Sequence, residues 1–277
     1  LRRQRQMCIR DSFGRAPDGH VNLWHLDGGE HWFGVLPDCQ FALFESDGQR
    51  RCAHALAVKP GADASCPDAG EPLQAWDWYP ASTAEHTTGT YAARYPLSWT
   101  HYDGVFDAEV RCEAFSPILP GDYRRSSYPV AVFRWTLTNP TNKPLELSLL
   151  LSWRNTVGWF TNTDASAEVH FRDDGSPEHN YAPAIGDCEG QSNRWIDADG
   201  LSGVLLDGKR STPVAEGQGQ WCLALPATLE GVELMRCSRW DPSADGAELW
   251  QPFAADGVIP DSNNDRASRK GEYASAA

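Results

Sequence analysis

Acidic residues are the first candidates for chemistry in this sequence, which contains 38 Asp and Glu among 277 residues. Hydrolysis at a glycosidic bond needs two carboxyl groups, one protonated as the acid and one ionised as base or nucleophile. Asp77 lies between Trp76 and Trp78, and apolar walls favour the protonated form of a carboxyl group. Among so many acidic residues some spacing is always suggestive, so a loop Asp beside surface-anchoring tryptophans is the favoured interpretation.

Metal-binding and nucleophile motifs are incomplete. Residues 197–200 (DADG) resemble the start of a calcium loop, but Gly208 stands where the bidentate Glu is required, which favours a plain turn. His20, His25 and His31 lack the i, i+4 spacing of a helical zinc site. The sequence contains neither a G-x-S-x-G elbow nor a phosphate-cradling glycine loop. Spacing alone therefore predicts no catalytic centre, no bound metal and no cofactor.

Tryptophan is abundant, with 12 residues in the chain. Trp135 and Trp153 lie on the apolar faces of predicted strands and are predicted to be core residues. Four others are predicted to lie in loops beside polar residues: Trp76, Trp78, Trp99 and Trp159. An exposed indole ring can stack on a sugar ring while neighbouring polar groups bind its hydroxyls. A carbohydrate-stacking platform at Trp76 and Trp78 is therefore one hypothesis, and loop tryptophans that only cover the core are the alternative.

These side chains must be positioned by strands, because the strongest periodicity has a period of two. Apolar and polar residues alternate over residues 103–115, 130–138 and 145–153. A turn-rich segment, residues 139–144 (NPTNKP), joins the last two runs and predicts an antiparallel hairpin. Weaker strand candidates are residues 39–44, 54–58, 201–206, 221–225 and 232–239, and a short helix candidate is residues 247–253. The pattern predicts a mainly-β fold, an antiparallel β-sandwich with long loops and a few short helices.

Composition excludes several classes of protein. The formal net charge of -14 argues against a nucleic-acid partner, which requires clustered Lys and Arg. No stretch approaches about 18 uncharged apolar residues, so the sequence contains no membrane-spanning helix, and peripheral membrane association is left open. The eight cysteines are dispersed without metal-ligand spacing, which favours reduced thiols and a cytoplasmic location.

The first twelve residues differ from the rest. Residues 1–12 (LRRQRQMCIRDS) are basic and lack the apolar region of a signal peptide. Residues 7–12 are similar to the translation of a transposon end used in sequencing-library preparation, so this segment is interpreted as an assembly artefact. A native basic leader is the alternative. Fold prediction therefore begins at residue 13.

Residues 95–160 carry a specific family resemblance. Its strongest parts are residues 95–96 (YP), 114–120 (AFSPILP), 126–135 (SSYPVAVFRW) and 152–155 (SWRN). The sequence resembles the N-terminal domain of glycoside hydrolase family 116, the family of non-lysosomal glucosylceramidases, also called bile-acid β-glucosidases, and of microbial β-glucosidases. A looser similarity extends over most of residues 13–277.

The resemblance implies a supersandwich-like β-sandwich that precedes an (α/α)6 catalytic barrel. The barrel would carry the catalytic Glu and Asp, so no catalytic residue is assigned to this chain. Residues 13–277 are expected to form the N-terminal sandwich, cut before its closing strands. Its partners would be its own C-terminal catalytic domain and a β-glucoside or glucosylceramide-like substrate. The candidates for the domain interface or the rim of the substrate cleft are Trp153, Arg154, Asn155 and Trp159.

Two other functions stay open at this point. One is a self-standing carbohydrate-binding sandwich, with Trp76 and Trp78 as its stacking residues. The other is the N-terminal domain of a different sugar-acting barrel enzyme, such as a phosphorylase.

Overall fold

A computed structural model describes most of the chain in detail. The residues described are 38–56, 88–128, 130–157, 189–208, 219–242 and 246–277, together with the backbone of four short strands between residues 21 and 178.

The described elements are almost all strands, joined in antiparallel pairs. In chain order they are β1 (Val21–Trp24), β2 (His31–Gly34), β3 (Phe41–Ser46), β4 (Arg51–Ala55), β5 (Thr88–Arg94), β6 (Leu97–Asp103), β7 (Glu109–Phe115), β8 (Val132–Thr138), β9 (Glu146–Leu151), β10 (Trp153–Arg154), β11 (His170–Phe171), β12 (Pro177–Glu178), β13 (Ser192–Ala198), β14 (Leu201–Asp207), β15 (Gln220–Pro226) and β16 (Ser275–Ala276). The α-helix in the described residues is α1 (Ala247–Asp256), and Arg125–Ser127 form a 3-10 turn. No helix in the described part of the chain has the length and apolar character that crossing a membrane requires.

The chain divides into two compact units. Unit 1 contains the described residues of His31–Leu151, with strand β1 and the segment Gln251–Val258. Unit 2 contains those of Ser152–Trp250 and Ile259–Ala277.

Unit 1 is a sandwich of two antiparallel sheets. One sheet has the order β4-β3-β9 and the other the order β5-β6-β7-β8. Phe41 and Leu43 of β3 pack against Val110 of β7 in a shared core. The Phe41 ring lies 4.9 Å from that of Trp135, which itself stacks at 5.9 Å on Tyr102. A fully buried large apolar side chain stabilises the fold by about 1.5–3 kcal/mol, so this aromatic centre holds the two sheets together.

Strand β3 is buried on both faces. Its second face carries Phe44, whose ring packs edge-on against Phe253 of helix α1 at 6.4 Å. Gly257 directly follows helix α1. It has a left-handed backbone (φ 70°), and its N–H donates to the Phe253 carbonyl at 2.8 Å. Glycine adopts this conformation without the steric cost that a Cβ brings.

A buried carboxylate anchors the start of β7 to β3. Glu45 is 3% exposed, and its oxygens accept hydrogen bonds from the backbone N–H groups of Asp107 at 2.9 Å and Ala108 at 2.8 Å. Charge-assisted bonds of this kind offset much of the cost of burying a carboxylate.

Unit 2 is built on the three-stranded sheet β13-β14-β15. Val204, Leu206 and Ala276 are buried at its centre, and Trp195 and Trp221 pack against them. Strand β16 pairs with β10, and two bonds between Trp240 and Ser275 continue the pairing.

The mainly-β antiparallel sandwich predicted from alternation is confirmed. Strand β7 carries Val110 and Cys112 on its buried face, as the alternation over residues 103–115 requires. The helix candidate at residues 247–253 is also confirmed, and it extends to Asp256. The strand candidates near β3, β14 and β15 are confirmed with small shifts of their ends.

The predicted hairpin of residues 130–138 and 145–153 is wrong. Strand β8 pairs with β7, whereas β9 pairs with β3 in the opposite sheet. The turn-rich segment is therefore an arch between the two layers, closed by Asn139, whose Nδ2 donates to the Lys143 carbonyl at 2.6 Å. Strands β8 and β9 each have an apolar face that must be buried. Because they lie in opposite sheets, both faces can be buried in the core between the sheets.

Three further predictions need correction. Residues 232–239 form no strand, although Cys237 makes an isolated bridge with Ser262. Trp99 lies in strand β6 and not in a loop. The alternation over 145–153 placed Leu150 on a polar face, but Leu150 is buried while Leu149 is 38% exposed. The register pairs Leu150 with Ala42 on the face of β3 that also carries Phe44, so apolar side chains occupy both faces.

We expect the turn between β3 and β4 to confer acid sensitivity. Hydrogen bonds from the backbone N–H groups of Arg50 and Gln49, with a weaker contribution from Lys143, lower the pKa of Asp47 to about 2. Because the folded pKa lies below the unfolded value of about 3.9, the stabilisation is complete above about pH 4 and is lost as pH falls toward 2. Carboxyl NMR titration should give the low pKa, and Asp47→Asn should flatten the stability profile between these pH values. Asp265→Asn is the exposed control, and an ordinary titration of Asp47 near pH 4 would contradict the prediction.

Candidate functional site

The segment that follows β9 contains three of the four candidates for a domain interface or cleft rim: Trp153, Arg154 and Asn155. Trp153 and Arg154 form β10. The Trp153 side chain is 5% exposed and stacks on Trp221 at 6.3 Å. The Arg154 guanidinium lies over the ring of Tyr273 at 5.0 Å and is partly exposed. In unit 2 Trp153 is thus a core residue, and Arg154 is the member of the pair that reaches the surface.

Asn155 is completely buried and is a hydrogen-bonding centre. Its Nδ2 donates to Asn193 Oδ1 and to the Asp207 carbonyl, both at 2.9 Å, and its Oδ1 accepts from the Val157 backbone N–H at 3.0 Å. Its own backbone N–H bonds the Ala274 carbonyl at 2.9 Å. A single amide side chain therefore joins the 155–157 segment to strands β13 and β14.

Further buried polar groups surround this centre. Gln191 Nε2 donates to the Val157 carbonyl. Among the described residues, seven buried side-chain atoms have no hydrogen-bond partner. Three are tryptophan Nε1 atoms, and the other four are hydroxyl or amide atoms: Ser152 Oγ, Thr156 Oγ1, Gln191 Oε1 and Asn193 Nδ2. An unsatisfied buried group costs about 1–3 kcal/mol, so such groups commonly bind ordered water. The side chains named here are hydroxyls and amides, which can bind and orient but cannot act as a general acid or base near neutral pH.

A second polar region lies on the outer face of the four-stranded sheet of unit 1, where a shallow groove of about 360 Å³ is found. We call it the outer groove. The register aligns Ala92, Trp99, Glu113 and Arg134 in one row across β5 to β8, and Thr90, His101, Arg111 and Thr136 in the next.

The charges of the outer groove are paired. Glu113 accepts a hydrogen bond from Trp99 Nε1 at 3.2 Å and forms an ion pair with Arg134 at 3.0 Å. Arg111 pairs with Glu109 at 3.1 Å. Among the residues that line the groove, Glu113 alone has a carboxyl group. The groove therefore lacks the second carboxyl group that acid–base catalysis at a glycosidic bond requires.

The calcium-like segment is a turn in the structure. Asp199 (φ 53°) and Gly200 (φ 78°) both have left-handed backbones, as a two-residue hairpin between β13 and β14 requires. Asp197 instead accepts two hydrogen bonds from Arg236 at 2.9 and 3.0 Å. The Ser202 hydroxyl and then Arg236 lower the pKa of Asp197. Among the described residues, no three His, Cys, Asp or Glu side chains form a group that could hold a metal ion.

Desolvation favours the protonated form of three described thiols, those of Cys52, Cys222 and Cys237. Burial raises the pKa of Cys52 to about 11 and also raises the pKa of Cys237. Cys222, which lies in an alternating segment, is exposed and not buried.

The structure brings Trp153, Arg154 and Asn155 together, and their role at an interface or cleft stays a prediction. Trp159, Trp76 and Trp78 lie outside the described residues, as do Asp77, His20 and His25. Sequence reasoning missed several residues that complete these sites: Gln191, Asn193, Glu113 and Arg134. The alternation did place Glu113 and Arg134 on water-facing sides of their strands, but it gave no sign that the strands are neighbours.

Fold and sites together define an antiparallel β-sandwich protein, in which neither described site holds a complete set of acid–base groups. A family model described as beta-glucosidase 2, glycosyl-hydrolase family 116 N-term, matches residues 12–277. The chain therefore belongs to the N-terminal domain family of glycosyl hydrolase family 116, a family of glycoside hydrolases that includes β-glucosidase.

Proposed function

We propose that this chain is the non-catalytic N-terminal domain of a retaining β-glucosidase, and that it supports an (α/α)6 barrel in which the catalytic Glu and Asp reside. The observation that carries the proposal is the family match to an N-terminal domain over residues 12–277. The single paired carboxylate of the outer groove supports it, because a retaining glycosidase requires two carboxyl groups about 5–5.5 Å apart.

The partly exposed Arg154 supports a domain interface on unit 2. Arg154 is partly exposed at the end of β10, while Trp153 and Asn155 fix its backbone from the core. We propose that this segment, together with Trp159, contacts the catalytic domain or the rim of its cleft. The substrate would be a β-glucoside, with glucosylceramide-like lipids as the finer candidate, and no metal would take part. Dispersed cysteines support a cytoplasmic location for the protein.

We expect the 277-residue chain alone to hydrolyse no aryl β-glucoside, since its groove lacks the second carboxyl group. A protein extended through the downstream coding region should hydrolyse 4-methylumbelliferyl β-glucoside, with the β-anomer as first product by NMR. Glucosylceramide in detergent micelles tests the finer substrate assignment.

Two controls make the result decisive. Activity that requires inorganic phosphate and releases a sugar phosphate would identify a phosphorylase and contradict the proposal. Hydrolysis by the chain alone, or an extended protein inert toward every β-glycoside, would also contradict it.

A further inference from the structure

The outer groove has features of a binding site that the proposed catalytic role does not use. Trp99 is 40% exposed although it lies in the second strand of a well-paired sheet. Large aromatic side chains in such positions leave apolar area in water unless something covers it. The groove belongs to unit 1 entirely, so its geometry depends on one compact body.

The groove is hollow because short side chains flank long ones. Ala92 stands beside Trp99 on the edge strand β5, and Thr136 stands beside Arg111 on β8. With strands about 4.8 Å apart, the row from Ala92 to Arg134 extends about 14 Å. The volume of about 360 Å³ lies in the range of small-molecule sites, which begins at about 300 Å³.

The Trp99 ring is held in place. Its Nε1 donates to Glu113 Oε1 at 3.2 Å, and Glu113 is fixed in turn by Arg134 at 3.0 Å. The Arg134 guanidinium also lies 5.7 Å from the ring of Phe115. A platform that is already oriented loses little conformational freedom when a ligand stacks on it.

The ion pairs of Arg111 and Arg134 favour a neutral ligand over an anionic one. Arg111 and Arg134 each have a carboxylate partner within 3.1 Å, so an anion would meet no uncompensated positive charge. The groove instead presents hydrogen-bond donors and acceptors side by side next to an aromatic ring: guanidinium N–H groups, carboxylate oxygens and Thr hydroxyls. A hydroxyl group both donates and accepts, so a neutral, hydroxyl-rich ring matches this lining.

We propose that the outer groove is a non-catalytic carbohydrate site that binds one or two pyranose units of a neutral glycan, with Trp99 as the stacking surface. Glu113, Arg134 and Arg111 bind the hydroxyls around it. The site would hold the protein near glycan chains whatever the activity of the full-length protein.

The test is affinity electrophoresis of the 277-residue chain in native gels containing a soluble neutral β-glucan, a neutral α-glucan or alginate. We expect retardation by a neutral glycan and none by alginate. Trp99→Ala should weaken binding about tenfold, as loss of an aromatic contact does. Ala92→Gln should weaken it comparably by filling the hollow while every polar group of the groove remains.

Tyr123→Ala is the matched control, because Tyr123 is 65% exposed and lies outside the groove lining. Circular dichroism and thermal unfolding establish that each variant is folded. The proposal is overturned if no neutral glycan retards the chain, if alginate binds best, or if folded Trp99→Ala and Ala92→Gln variants bind like the wild type. Binding retained in both variants would direct attention to Trp76 and Trp78 instead.

Discussion

Asn155→Ala should lower the free energy of unfolding by about 3 kcal/mol, because a buried group that loses its hydrogen-bond partner costs about 1–3 kcal/mol. The substitution removes the donor to Asn193 Oδ1 and the Asp207 carbonyl, and the acceptor for the Val157 N–H. All of these contacts lie at a residue with no exposed surface. Urea unfolding followed by tryptophan fluorescence measures the change.

Two companion variants test the stated cause. Asn155→Asp keeps the shape and the acceptor for Val157, but it places a carboxylate against two oxygen acceptors, so it should be at least as destabilising at neutral pH. Asn142→Ala changes an exposed turn residue and should stay within about 0.5 kcal/mol of the wild type. A loss below 1 kcal/mol for Asn155→Ala would show that the amide is not the centre of this network.

Gly257→Ala should cost about 2–4 kcal/mol, the sum of a backbone and a packing penalty. The residue has φ 70°, and a Cβ there would lie 2.5 Å from Phe44 Cδ1 and 2.7 Å from Ser148 Oγ. Both neighbours belong to the sheet that helix α1 covers, so they have little freedom to move. Chemical denaturation of the variant and the wild type measures the difference.

A matched glycine separates the two penalties. Gly231 has nearly the same φ, 72°, and no atom within 4 Å of its added Cβ. Gly231→Ala should therefore show the backbone cost alone, about 1–2 kcal/mol. Adding Phe44→Leu to Gly257→Ala should cost less than the two single changes together, since the smaller side chain relieves the contact. Equal losses at Gly257 and Gly231 would contradict the packing argument.

The sequence determined which segments are strands better than it determined their partners. Alternation identified the buried face of β7 correctly because one side of that strand faces water. It misjudged β9, where Leu150 is buried beside Ala42 and the period-two pattern is lost. The arch at residues 139–144 has the composition of a hairpin turn, and composition does not specify whether the second strand stays in the sheet or crosses the core.

For the candidate sites, too, the sequence identified some of the residues but not their partners in the fold. Trp153, Arg154 and Asn155 were found through a family resemblance. Their contacts with Trp221, Tyr273 and Asn193 respectively depend on long-range packing that no local pattern encodes. Trp99 was predicted to lie in a loop, which is wrong because it lies in strand β6. Its neighbours Glu113 and Arg134 are adjacent only because three strands align in register. Spacing along the sequence predicts which side chains are neighbours within one strand or helix. It does not predict neighbours on different strands, which depend on how the strands pair.

The pairing of β3 with β9 also has consequences for how the protein is made. Phe41 and Leu151 meet across more than 100 residues of intervening chain, and such distant contacts slow folding because a large loop must close first. During synthesis the apolar central strand β3 leaves the ribosome long before its partner β9 exists. Until β9 emerges, one edge of β3 stays open, which makes chaperone capture or aggregation of the nascent chain the main hazard for this domain.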